Sequence, residues 1–170
     1  MSETLEAAIP DGLDRKAERL MHELCDRKLR IATAESCTGG MLAALLTDIE
    51  GASRGFERGF VAYTEEAKAE LLGIDVDILK HNEAVSEVVA RAMAEGALSR
   101  SHADIAVGVT GFAGPAGPKH EEGLVHIAVA RRGRKTVHRE EHFGRIGRGE
   151  IRVKSLEVML EMLEETLQQA

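Results

Sequence analysis

At 170 residues, 44% hydrophobic and 30% charged, the chain fits one globular domain with a sizeable buried core. Its net charge of −7 excludes a nucleic-acid binder built on a concentrated basic face. No run approaches the length of a membrane-spanning helix, and two cysteines, Cys25 and Cys37, exclude a disulfide framework.

The opening residues are acidic and lack the apolar stretch of a signal peptide, so the expected location is the cytoplasm. With no Trp, one Tyr and four Phe, the core must be aliphatic. Cys25 falls on a helix face and is expected in that core. The seven His are scattered without metal-ligand spacing, so no metal and no cofactor are expected. The basic run from Arg131 to Lys135 reads as a solvated turn.

Residues 1–11 are expected to form a loose tail. Leu13, Ala17, Leu20, Met21 and Leu24 share one helical face, predicting a helix that ends near Arg27. Leu29, Ile31 and Thr33 then alternate as a strand does. Thr38-Gly39-Gly40 makes a tight turn, and Met41 opens a helix running to about Asp48. After a loop at 51–55, Phe56 to Tyr63 reads as a second strand. Thr64 can cap a helix over 65–72, with acidic residues in its first turn and Gly73 as its stop. The stretch 75–82 reads as irregular, at most one helical turn. Ser86 caps a longer helix to about Ser99, with Val88, Val89, Ala92 and Met93 inward.

Asp104 to Thr110 is an apolar run of the buried-strand type, followed by a Gly/Pro loop over 111–118. Leu124 to Ala130 and Lys135 to Phe143, joined around Gly133, predict an antiparallel hairpin. Ile151, Ser155, Leu156, Met159, Leu160, Leu163 and Leu167 mark a final amphipathic helix. The alternation predicts an α/β fold: a single three-layer α/β/α domain over 1–170, with a mixed, mostly parallel sheet of about five strands.

In such sheets ligands sit beyond the carboxyl ends of the strands. Ser36 follows the first strand, Tyr63 and then Lys68 the second, and Thr110 the third. A serine hydroxyl becomes a nucleophile when a base takes its proton, and Lys68 can be that base if burial lowers its pKa. Tyr63 could hold the lysine or relay the proton, and the amides of Thr38, Gly39 and Gly40 could face a developing oxyanion. Cys37 at a helix start is an alternative nucleophile. The plain alternative is a strand-to-helix turn whose Ser or Thr only caps the helix.

The chain resembles the CinA C-terminal domain family, which includes nicotinamide-nucleotide amidases. The resemblance rests on Thr33-Ala-Glu-Ser-Cys-Thr-Gly-Gly40, Tyr63-Thr-Glu-Glu-Ala-Lys68, Leu71-Leu-Gly73, Ala84-Val-Ser-Glu87, Val109-Thr-Gly-Phe-Ala-Gly-Pro115 and Gly123-Leu-Val-His-Ile-Ala128. These blocks run in family order across roughly residues 13–167. The resemblance implies deamidation of nicotinamide mononucleotide, with Ser36 as nucleophile, Lys68 as its base and Tyr63 in support. It places Thr110 on the substrate or oxyanion side. Thr38, Gly39, Gly40 and Gly111 are expected to line the substrate site with it, and Arg148, at a helix start near the pocket, is the expected phosphate partner. The resemblance also implies a small-molecule nucleotide substrate, one antiparallel strand in the sheet, and a homo-oligomer.

The chain departs from the family pattern at Glu65, at Glu83, in the loop 115–122 and at Ile146-Gly-Arg148, where an Asp is missing. These changes surround the expected pocket and leave Ser36, Tyr63 and Lys68 intact. They motivate the alternative of a catalytically silent nucleotide- or partner-binding module.

Overall fold

The computed structural model describes residues 9–169. In chain order these form α1 (Asp11–Asp26), β1 (Ile31–Glu35), α2 (Met41–Thr47), β2 (Phe56–Val61), α3 (Glu65–Leu72), α4 (Val76–His81), α5 (Glu87–Ser99), β3 (Ile105–Gly111), β4 (Leu124–Arg131), β5 (Val137–His142) and α6 (Arg148–Gln168). The sheet order is β2-β1-β3-β4-β5. β1 pairs parallel with β2 and β3, whereas β4 pairs antiparallel with β3 and β5. One strand, β4, therefore runs against the other four, as expected of a mixed, mostly parallel sheet closed by a hairpin.

Alternation along the buried strands gives the sheet two faces. Ile31, Ile105, Val107, Val109, Val125, Ile127 and Val129 enter a core shared with α1, α2 and α6. Ala32, Ala34 and Ala106 enter a second core with residues of α3, α4 and α5, and Ala128 and Ala130 lie against Ala90 and Ala94 of α5. Both cores are aliphatic, and their small residues on the second face let α5 lie close to the strands.

Local signals set several of the helix ends. The Thr64 hydroxyl accepts from the Ala67 N–H at 3.1 Å, and Gly73, at φ 67°, ends α3. The Ser86 hydroxyl accepts from the Val89 N–H at 3.3 Å and opens α5. The stretch expected to be irregular folds as α4, because Asp75 accepts from the Asp77 N–H at 2.9 Å.

Three further expectations are corrected. Val88 is exposed, since the buried stripe of α5 runs through Val89, Ala90, Met93, Ala94 and Ala97. Cys25 is half-buried on the flank of α1 rather than in the core. The second strand ends at Val61, two residues early. The basic run is the exposed turn expected, and two of its arginines do more than face solvent. Arg131 donates to the carbonyl of Thr166 at 2.7 Å, and Arg132 to those of Ala103 at 2.8 Å and Leu98 at 3.1 Å, clasping the ends of α6 and α5. Of the expected tail, residues 1–8 lie outside the described residues, while Ile9 packs against the core. Among the described residues no helix is long and apolar enough to cross a membrane, and no cluster of His, Cys, Asp or Glu could hold a metal.

Candidate active site

β1 ends at Glu35, and Ser36 stays in line with the sheet by donating its N–H to the Val109 carbonyl at 3.2 Å. Glu35 turns the other way and caps α2. Its Oε2 accepts from the Thr38 hydroxyl at 2.7 Å and the Leu42 N–H at 3.1 Å, and its Oε1 accepts from the Ala43 N–H at 2.9 Å. A carboxylate suits the positive end of a helix. The cap is therefore a glutamate, and neither Ser36 nor Thr38 serves as one. The Ser36 hydroxyl, in a residue 7% exposed, makes no hydrogen bond among the described residues.

This corrects the expectation of outward-pointing helix amides. Glu35 takes those of Leu42 and Ala43, the Thr38 carbonyl takes that of Met41, and the Ser36 carbonyl takes that of Gly39. The N–H groups of Thr38 and Gly40 stay unpaired among the described residues. Gly40 is required twice over: its φ is 94°, and a Cβ there would meet Val61 Cγ2 at 3.3 Å. From α6, Arg152 Nε donates to the Cys37 carbonyl at 2.6 Å and braces the turn.

Lys68 lies one turn into α3, is 2% exposed, and makes no ion pair or hydrogen bond among the described residues. Burial lowers its pKa from the ordinary 10.5, outweighing the opposite pull of Cys37 and Glu65. Lys68 and the Cys37 thiol act on each other's titration. Burial pushes the Cys37 thiol up to about 12, so it stays protonated at neutral pH and lacks the thiolate a nucleophile needs. No hydrogen bond joins Ser36 to Lys68 among the described residues.

Tyr63 stands apart from this pair. Ala62 takes the inward position after β2, so Tyr63 is left 63% exposed, with no hydrogen bond among the described residues. It does not hold Lys68 in this state. Thr110 is buried, and its hydroxyl donates to the Ala84 carbonyl at 2.8 Å, tying β3 to the approach of α5. Gly111 follows where a Cβ would crowd Val125 Cγ2 at 2.7 Å. Arg148 opens α6 with its guanidinium packed on Gly114 of the Gly/Pro loop, and no acid pairs with it among the described residues. Of the departures, Glu65 is exposed, and Glu83 faces His120 at 3.9 Å across the loop.

Strand register brings distant residues into one row. Glu35 pairs with Val109, so Ser36 comes beside Thr110. Thr110 pairs with His126, and His126 with Glu140. All four positions are on the α5 face of the sheet. The family model described as CinA C-terminal domain matches residues 13–167. The chain belongs to that family.

Two solved CinA-family structures show the same fold. The competence/damage inducible protein from Agrobacterium tumefaciens has TM-score 0.90 and 43% identity, over 96% of this chain and 99% of that one. The CinA superfamily protein from Escherichia coli has TM-score 0.86 and 30% identity, over 94% of each chain. The CinA-like protein of Akkermansia muciniphila is 53% identical over 75% of this chain. That of Syntrophus aciditrophicus is 45% identical over 85%. The chain spans only 31% and 34% of those two relatives' lengths. Within this CinA domain, Glu35, Arg152 and His126 are the residues that sequence reasoning did not single out. Glu35 and His126 stood inside quoted motifs, and a His within an otherwise apolar buried strand was the available signal.

Proposed function

We propose that the chain is a metal-independent amidohydrolase that deamidates nicotinamide mononucleotide to nicotinate mononucleotide and ammonia. The observation that carries this reading is Lys68: a buried lysine with no partner among the described residues, its pKa lowered by desolvation and felt by Cys37, next in the chain to an uncommitted serine hydroxyl. In the proposed mechanism, neutral Lys68 takes the Ser36 proton as Oγ attacks the carboxamide carbon. The N–H groups of Thr38 and Gly40 stabilise the oxyanion. The intermediate collapses, the C–N bond breaks, and Lys68 returns its proton to the departing ammonia. Water then attacks the acyl-serine ester with Lys68 again as base, releasing the acid and free Ser36. Gly39 and Gly111 shape the turn and strand end, Thr110 fixes the pocket wall, and Arg148 binds the phosphate. Tyr63 would come to the site only through a ligand or a second copy, since the expected assembly is a cytoplasmic homo-oligomer.

The test is ammonia release from nicotinamide mononucleotide by the purified chain, with Ser36→Ala and Lys68→Arg alongside. Activity in the parent and its loss in both variants is the expected result, because a guanidinium cannot act as a base near neutral pH. Full activity in Lys68→Arg would sink the Ser-Lys mechanism. A second reading, the silent nucleotide- or partner-binding module, is favoured by the missing Ser36–Lys68 hydrogen bond, although catalytic hydrogen bonds often tighten only when substrate binds. It predicts binding without ammonia.

A further inference from the structure

The row across the sheet continues beyond the proposed serine and threonine to an imidazole. His126 is 6% exposed, and its Nδ1 lies 3.1 Å from His138 Nε2, with the two rings stacked at 5.3 Å. A carboxylate stands near the Nδ1 of each ring: Glu140 Oε2 is 3.7 Å from His126 Nδ1, and Glu87 Oε2 is 3.7 Å from His138 Nδ1. Carboxylates favour an N–H over a lone pair, which argues for the proton on Nδ1 of both rings. With that tautomer His126 Nδ1–H donates to His138 Nε2, and His126 Nε2 keeps a lone pair. That nitrogen has no partner among the described residues. Nδ1 faces β5, and the register sets His126 opposite Thr110, next to which Ser36 follows β1.

We infer that His126 is a ligand-contacting residue of the same site, whose bare Nε2 accepts a hydrogen bond from a sugar hydroxyl of the substrate. For its substrate class this inference rests on the amidohydrolase reading. Nε2 has no protein partner among the described residues and is not sealed from solvent, so a ligand donor can reach it. His126 is two strand spacings from Ser36, about 10 Å, the reach of a carboxamide-bearing ring and its attached sugar. The surroundings select a hydroxyl over a phosphate. α5 presents Glu87, which is paired with Arg91 at 2.7 Å, and β5 presents His138, Glu140 and His142, so carboxylates dominate. β3 contributes only uncharged Thr110. Burial lowers the pKa of both His126 and His138 against the pull of Glu87 and Glu140, which keeps the pair neutral and His126 an acceptor near pH 7.

The test compares the parent with His126→Phe, which keeps a ring and loses the acceptor, and His126→Gln, whose amide oxygen still accepts. The probe is nicotinamide mononucleotide, with ammonia release giving KM and kcat and calorimetry on Ser36→Ala backgrounds giving Kd. His126→Phe should raise KM and Kd about 3- to 10-fold, the loss of one hydrogen bond, with kcat within about twofold. His126→Gln should recover part of the loss. The 2′,3′-dideoxy analogue should bind the parent as weakly as His126→Phe does, and the two losses should not add. Imidazole ¹⁵N shifts should place the His126 proton on Nδ1. Should His126→Phe fail to fold, His126→Leu makes the same comparison. Hydrolysis with unchanged KM in the variant lacking the acceptor, or a proton on His126 Nε2, overturns the inference and leaves the hydrolase reading intact. Binding that weakens in that variant while the parent releases no ammonia overturns the hydrolase reading and supports His126. Neither binding nor hydrolysis overturns both.

Discussion

Glu35→Ala tests whether the buried carboxylate holds the serine turn. Three donors converge on Glu35: the Thr38 hydroxyl and the N–H groups of Leu42 and Ala43. Removing the carboxylate leaves α2 uncapped, at about 1–2 kcal/mol. It also strands donors where Glu35 and Thr38 are fully buried, and a stranded buried donor costs about 1–3 kcal/mol. Water entering the vacated space would satisfy part of that set, so the net loss should be about 3–5 kcal/mol. Urea unfolding reads it directly. With a slope of about 2 kcal/mol per molar, the midpoint should fall by about 1.5–2.5 M without a change in slope. Thr38→Val removes a single donor and should cost about 1 kcal/mol. In the Glu35→Ala background the same change should cost less, because its partner is already gone. A loss below about 1 kcal/mol in Glu35→Ala would refute the cap, and so would full additivity with Thr38→Val.

Lys68 gives a prediction in pH. Burial lowers its folded pKa below 10.5, so between those two values the unfolded chain holds a proton that the folded chain has lost, and stability rises with pH across that window. Lys68→Met should therefore be more stable than the parent below the lowered pKa, with the gain fading toward pH 10.5; equal stability at all pH values would show the amine is not desolvated. On the amidohydrolase reading, parent activity should rise with pH through the same lowered pKa, and a flat profile would remove Lys68 as the base. Cys37→Ala should keep most activity, and iodoacetamide near neutral pH should leave Cys37 unmodified, since its pKa is pushed up to about 12. Arg148→Ala should raise KM for the phosphorylated substrate by about tenfold or more with kcat little changed, as a charge-assisted contact is lost; an unchanged KM would place the phosphate elsewhere.

The sequence by itself determined what is local. Caps act within a few residues, so Thr64, Ser86 and Gly73 set their helix ends as read. Side-chain periodicity marked α1 and α6, and two strand-like runs joined around Gly133 marked the β4–β5 hairpin. Lys68, with no lysine-like exposure, shows where this stops: its place on α3 was legible, but burial depends on how α3 docks. Tertiary structure alone decided the cross-strand row. Nothing between Ser36 and His126 in the chain says that β4 lies two strands from β1, because register is set by pairing at long sequence separation. The same holds for Glu35, whose cap reaches forward across a glycine turn, and for the turn arginines Arg131 and Arg132, whose bonds to carbonyls near the ends of α6 and α5 exist only once those helices are docked. Tyr63 went the other way. Its strand ended two residues early, and Ala62 took the inward place, so the side chain that chemistry called for points to solvent.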